Sequence, residues 1–116
     1  MSALVILNDP PYGTERSFNG LRLAGSLARR DDGKVRVFLI GDAAACAKHG
    51  QQVPAGYYNI ETMLGAVTRH GGVIGVCGTC MDARGMTEEE LVAGCHRSTL
   101  DELTDWTLDA DRVLTF

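Results

Sequence analysis

The chain reads as an α/β protein: a three-layer sandwich with an open, mostly parallel sheet of four to five strands and helices on both faces. Three observations predict it. Short runs of near-continuously apolar residues have the look of strands buried on both faces. Between them lie segments whose apolar residues recur three and four apart, the period of helices that rest one face on a core. The two kinds alternate along the chain, which is the order that builds parallel sheets.

Leu4 to Leu7 is wholly apolar and is stopped by Asn8-Asp9-Pro10-Pro11, a first strand ended by turn residues. After Tyr12-Gly13-Thr14, residues Phe18, Leu21, Ala24 and Ala28 share a helical face, with Leu23 and Leu27 flanking it and Asp31-Asp32-Gly33 as the stop. Val35 to Ile40 is a second strand, and Gly41-Asp42 opens a short alanine-rich helix through Lys48 with Asp42 as its N-cap. Gly50 to Gly56 reads as loop. Ile60, Met63, Leu64 and Val67 then mark a strong helix, ended by Gly71-Gly72. Val73 to Val76 is the third strand, delivering Cys77 at its carboxyl end, and Gly78 to Met86 reads as loop. Thr87 with Glu90 is a capping-box signature for a helix from Glu88 to about Cys95, and Ser98 with Asp101 repeats the signal for a helix through Leu100, Leu103 and Trp106. Arg112 to Phe116 closes the chain as a strand. Four strands are well marked, and a fifth short one is allowed.

At 116 residues the chain holds a single domain, 1–116, with no room for a second core. A domain this small leaves little surface for a deep private pocket, which favours a site shared between subunits. The net charge is -4, and Arg29-Arg30, the one adjacent basic pair, is followed at once by Asp31-Asp32. That argues against a nucleic-acid partner, which needs a clustered basic face. No apolar run reaches membrane-spanning length, and the first residues lack a positive segment before a signal-like apolar stretch, so no membrane association is expected. The expected location is cytoplasmic, where four cysteines are free, catalytic or metal-bound rather than a disulfide framework.

In parallel sheets ligands sit outside the carboxyl ends of the strands, near the point where strand order reverses. Asn8 to Tyr12, Gly41-Asp42 and Cys77 to Cys80 all fall at such ends and are expected to converge. Cys77 is the chief candidate, since it leaves a buried strand and enters Gly78-Thr79. Backbone amides there, together with Arg84, would favour the thiolate, which is the nucleophilic form. A small buried hydrophobe is the bland alternative for the same residue. Cys80 completes a C-x-x-C, a pattern with three meanings. A dithiol redox pair normally opens a helix at once, whereas the capping signal here comes seven residues after Cys80. A zinc site needs two more ligands, which Cys46 with His49 or Cys95 with His96 would supply only if folding gathered them. The third meaning is a sulfur acceptor with a neighbouring relay or resolving thiol. Otherwise Cys46 reads as core, Cys95 as a residue near a helix end, and His49, His70 and His96 as helix-end imidazoles. Glu88-Glu89-Glu90 reads as dipole compensation rather than a metal site. Gly13 lies in neither of the two glycine-rich phosphate-loop patterns.

With those residues identified, the chain resembles the DsrE/DsrF-like family and its TusD-like sulfur-relay members. Four blocks carry the likeness. They are Leu4 to Thr14 with its Pro-x-Tyr-Gly-Thr turn, the helix that follows, Val76-Cys77 with Ala83-Arg84-Gly85, and Asp111 to Phe116. The resemblance implies an open α/β sandwich assembled as homo-oligomeric trimers or hexamers. It also implies that Cys77 takes persulfide sulfur from a donor protein and passes it to an acceptor protein, with no cofactor. Tyr12, Gly13, Thr14, Gly78, Thr79 and Arg84 are the expected binding residues around Cys77 and Cys80. Cys80 departs from the TusD-type pattern, which carries no cysteine there, and it could resolve the persulfide as a disulfide. The competing expectations are a C-x-x-C redox protein and a non-enzymatic module that binds a small ligand or a protein.

Overall fold

The computed structural model describes residues 2–30 and 34–116. The expected helix stop at Asp31-Asp32-Gly33 lies outside them. Five strands form one sheet: β1 (Ala3–Leu7), β2 (Val35–Leu39), β3 (Val73–Cys77), β4 (Cys95–Ser98) and β5 (Arg112–Thr115). Their order is β4-β3-β2-β1-β5, and every pairing is parallel. The order reverses between β1 and β5, so the switch point lies at that side of the sheet.

Helices α1 (Arg16–Arg30) and α2 (Ile60–Arg69) cover one face. Their Leu21, Ala24, Ala28, Ile60, Leu64 and Val67 are buried with Val5, Leu7, Val37, Leu39, Ile74 and Val76 of the strands. Alternate strand residues point to the other face, where Leu4 and Phe38 pack with Trp106 of α4 (Leu100–Asp109). That alternation yields the three layers. Fully burying a leucine-sized side chain contributes about 1.5–3 kcal/mol, so these two clusters account for the long apolar runs of β1 and β2. Helix α1 approaches β1 very closely at Gly20. A Cβ there would run into Leu7 Cδ2 and press on the Phe116 ring, so a larger residue would force both side chains to shift.

Local chemistry sets the helix ends. Asn59 caps α2, its Oδ1 accepting from the Thr62 N–H at 3.2 Å, and Gly71 leaves the helix at φ +88°. Thr99 caps α4 by accepting from the Glu102 N–H; Ser98, the expected cap, ends β4 instead.

Three segments depart from the sequence expectation, and in each tertiary packing overrides local pattern. The alanine-rich stretch is a tight 3-10 turn over Gly41–Ala47 rather than an α-helix, and no side chain caps it. Ala43, Ala44, Cys46 and Ala47 are all buried, so small side chains let the turn lie flush on the core. Asp42 points instead to Arg84. The capping box of Thr87 and Glu90 is present, but it starts only a single 3-10 turn, Glu88–Glu90. Beyond it the Val92 N–H donates to the Ala47 carbonyl at 2.8 Å, and Leu91 bridges to Lys48, so the backbone is committed elsewhere. The chain then turns at Gly94 (φ +91°) into β4, which supplies the fifth strand and places Cys95 and His96 on a strand. Finally, Gly78 to Met86 is not all loop, because helix α3 (Gly78–Ala83) begins directly after Cys77.

Among the described residues no helix is long and apolar enough to cross a membrane.

Candidate functional site at the carboxyl end of the third strand

Cys77 is the last residue of β3 and stands at the N-cap position of α3. This strand-to-helix junction turns the chain so that the backbone of Thr79 and Cys80 folds back toward the Cys77 sulfur. Thr79 Oγ1 lies 3.4 Å from Cys77 Sγ. Burial penalises the Cys77 thiolate. The bonds it accepts from the Cys80 thiol, the Thr79 hydroxyl and the backbone N–H groups of Cys80 and Thr79 outweigh that, holding its thiol below the ordinary value. Cys80 goes the other way. Burial, then the bond it gives to Cys77, holds it as the protonated partner, opposed by the Gly41 N–H and the charge of Arg84. The pair is therefore asymmetric: the surroundings favour the thiolate at Cys77 and the protonated thiol at Cys80.

The two thiols also differ in surroundings. Cys77 packs beside Phe38 and Trp106 on the α4 side of the sheet, whereas Cys80 packs against the core on the α1 and α2 side. Both are free thiols. A cavity of about 380 Å³ opens over Cys77, walled by Phe38, Ile40, Leu100 and Leu103 on its apolar side and by Arg97, Ser98 and Thr99 on its polar side. Larger depressions, of about 620 Å³ along α1 and about 710 Å³ beside His49, carry no thiol.

The structure gathers only part of the expected set. Gly41 reaches the pair directly, its N–H donating to Cys80 Sγ at 3.1 Å. Arg84 bonds the Cys80 carbonyl at 3.0 Å and the Asp42 carboxylate, so its charge acts on Cys80 rather than on Cys77. Tyr12, Gly13 and Thr14 turn toward α2. The Tyr12 hydroxyl accepts from the Ile60 N–H at 3.2 Å, its ring lies against Tyr57 and Tyr58, and Thr14 Oγ1 donates to Asp9 at 2.7 Å. Gly13 sits at φ +111° in that turn. The thiol pair lies at β3, two strands from the switch point between β1 and β5.

Arg97 is the site residue that sequence reasoning missed. It enters from β4, whose register sets Ser98 opposite Cys77. Two bonds of 2.9 Å tie its guanidinium to Asp82 of α3 and hold it over Gly78. The only available signal was β4 itself, and Cys95-His96-Arg97-Ser98 does not read as a strand.

The remaining candidates lie elsewhere. Cys46 and Cys95 are pushed up to about 12 by burial. His49 pairs with Glu61 at 2.8 Å, His70 bonds the Ala66 carbonyl, and His96 pairs with Glu102. Among the described residues, no three His, Cys, Asp or Glu side chains are grouped so as to hold a metal ion.

Comparison with known proteins agrees with this architecture. The chain is 41% identical over 114 residues to protein YchN of Escherichia coli K12, covering 97% of each chain. It is 34% identical to protein MJ0989 of Methanocaldococcus jannaschii over the full length of both. The crystal structure of the E. coli YchN protein superposes with a TM-score of 0.90 at 42% identity, over the whole of both chains. The model of the DsrE/DsrF-like family matches residues 1–116, and the chain belongs to that family.

Proposed function

We propose that the protein is a sulfur carrier that accepts sulfane sulfur on Cys77 and passes it to a partner thiol. The observation that supports this most is the concentration of hydrogen-bond donors on the Cys77 sulfur at the mouth of a cavity. Family membership adds to it, because the DsrE/DsrF-like family is linked to sulfur relay.

The chemistry needs no cofactor. The Cys77 thiolate attacks the terminal sulfur of a donor persulfide, the donor S–S bond breaks, and the donor leaves as a thiol with the proton. Cys77 then carries a persulfide. An acceptor thiolate attacks its terminal sulfur, and Cys77 departs as the thiolate that its donors stabilise. Donor and acceptor are both protein thiols in this reading. Their approach is shaped by the cavity, with apolar Leu100 and Leu103 to one side and Arg97 to the other.

The reading includes a homo-oligomer, a trimer or hexamer. Leu100 and Leu108 on α4 are 71% and 82% exposed, which favours a second copy covering that helix beside the site. Light scattering on the purified chain measures this, and a monomer at micromolar concentration would remove the assembly from the proposal.

The decisive experiment follows sulfur by peptide-level mass spectrometry after exposure to cysteine persulfide. It uses Cys80→Ser, so that no neighbouring thiol can displace the sulfur, and the Cys77→Ser/Cys80→Ser chain as its counterpart. One added sulfur atom on Cys77 in the first and none in the second is expected. A Cys80→Ser chain that takes up no sulfur on Cys77 overturns the proposal.

A further inference from the structure

We propose that Cys80 discharges sulfur held on Cys77, releasing it as hydrosulfide and closing a Cys77–Cys80 disulfide, so that the protein is also a sulfide-releasing persulfide reductase. This rests on Cys77 being a sulfur acceptor and gives the sulfur a second fate when no acceptor thiol arrives.

A relay requires only a single thiol with donors for its anion, and Thr79 with the local N–H groups supplies those. The second sulfur is then surplus, yet it is held with care. It lies one helical turn along α3 from Cys77, and each thiol acts on the ionisation of the other. It also receives an N–H from Gly41, which belongs to a different segment, at 3.1 Å. Gly41 sits at φ +60° to make that approach. Arg84, anchored on Asp42, sets a positive charge beside the same sulfur. Cys46 shows the contrast: its thiol donates to the Asp9 carbonyl, its other partners are Ser17 and its own backbone, and among the described residues no cation stands beside it.

The two sulfurs share the cavity but differ in packing. Donors reach Cys77 from the α4 side, and Cys80, which also lines that cavity, packs against the core on the α1 and α2 side. A thiol held one helical turn away competes with dissolved thiols as though at very high concentration. Dilute acceptors must therefore outrun it.

The step balances without an outside oxidant. The Cys80 sulfur attacks the inner sulfur of the Cys77 persulfide, forming the Cys77–Cys80 bond. The bond from the inner to the terminal sulfur breaks, and the terminal sulfur leaves with the electron pair as hydrosulfide. The Cys80 proton passes to solvent or to that hydrosulfide. The two cysteine sulfurs together lose two electrons, and the sulfane sulfur gains them. Hydrosulfide is a good leaving group because its conjugate acid is more acidic than a cysteine thiol. An external dithiol reductant then restores both thiols for another cycle.

The test exposes fully reduced protein, without oxygen, to one equivalent of cysteine persulfide. Released sulfide and intact mass are followed in wild type, Cys80→Ser and Cys77→Ser. Wild type is expected to lose two hydrogens and release one sulfide per chain. Cys80→Ser is expected to take up sulfur more slowly, lacking the thiol donor, and to hold it about tenfold longer or more. Cys77→Ser should release nothing. If wild type keeps its Cys77 persulfide as long as Cys80→Ser does, the discharge proposal is overturned while the acceptor role stands. If Cys80→Ser takes up no sulfur, both fall. Should a variant fold poorly, the mass of the wild-type chain decides by itself: two hydrogens lost supports discharge, and a lasting added sulfur overturns it.

Discussion

The guanidinium of Arg97 lies across Gly78, so close that a Cβ on residue 78 would stand 2.9 Å from its Cζ. A free arginine would swing aside at little cost, but this one is held by both carboxylate oxygens of Asp82. Gly78→Ala therefore has to break that pairing or shift α3. Alanine is the better helix residue by about 0.5–1 kcal/mol, so the two effects oppose each other. The expected result is a loss of about 1 kcal/mol in the wild-type background and a small gain in an Arg97→Ala background. Urea unfolding of the four chains measures the coupling, and equal effects in both backgrounds would show that Arg97 does not hold Gly78 in place.

Thr79 is the side-chain donor to Cys77 that can be removed without touching either thiol. Thr79→Ala leaves the backbone N–H groups and takes away the hydroxyl at 3.4 Å. The Cys77 thiol should move back toward its ordinary value, so less of it is ionised at neutral pH. Alkylation of Cys77 at pH 7 should slow about threefold and recover at high pH, where both chains are fully ionised. Thr79→Ser should behave as wild type. A uniform slowing at every pH would mean that Thr79 controls access rather than ionisation.

Much of the fold was legible because its signals are local. The apolar runs of β1, β2 and β3 and the period of α1 and α2 each announce their element within a few residues. The rest is set from outside. Cys95-His96-Arg97-Ser98 has no apolar alternation and becomes a strand because β3 offers it an open edge. Helix α3 has no side-chain cap, since Cys77 occupies that position without a capping bond, and burial of Met81 holds it in place. Missing β4 also hid Arg97. Reading Gly78 onward as loop set aside the dithiol arrangement, in which the C-x-x-C opens a helix directly. Cys77, Cys80 and Arg84 lie in one stretch of sequence, and Gly41 was expected near them as a strand end; the N–H that it donates and the Leu100 wall needed the folded chain.

Cys46 and Cys95 make a prediction about alkaline stability. Burial holds both thiols up to about 12, against an ordinary value of 9.0. The unfolded chain ionises them from pH 9.0 upward while the fold keeps them neutral. Their stabilising contribution is thus complete below about pH 9 and is lost as pH rises toward about 12, by up to about 1.4 kcal/mol per pH unit for each thiol. Cys77, whose thiol is lowered, has the opposite sign: its contribution builds as pH rises toward 9.0 and is flat above. Cys95→Ala should therefore flatten the loss of stability between about pH 9 and 12 by about half of what the two thiols cause. Urea unfolding across that range measures it, and parallel curves for the two chains would place the alkaline loss elsewhere.

Arg84 offers the sharpest test of how Cys80 is controlled. Its guanidinium is half-turned to solvent and paired with Asp42, so losing it should cost the fold less than about 1 kcal/mol. Its charge nonetheless opposes the burial that keeps Cys80 protonated. In a Cys77→Ser chain, where Cys80 is the partly accessible thiol of the pair, Arg84→Gln should push Cys80 further up and slow its alkylation at about pH 8 severalfold. Arg84→Lys should fall between, because it keeps the charge and loses the planar fork that bonds Asp42 and the Cys80 carbonyl together. Added salt should narrow the gap between wild type and Arg84→Gln, since part of the effect is a charge acting near solvent. If the gap is unmoved by salt and the lysine chain matches the glutamine chain, Arg84 acts by holding α3 against the Gly41 turn. The Gly41 N–H would then be the group that sets Cys80 reactivity.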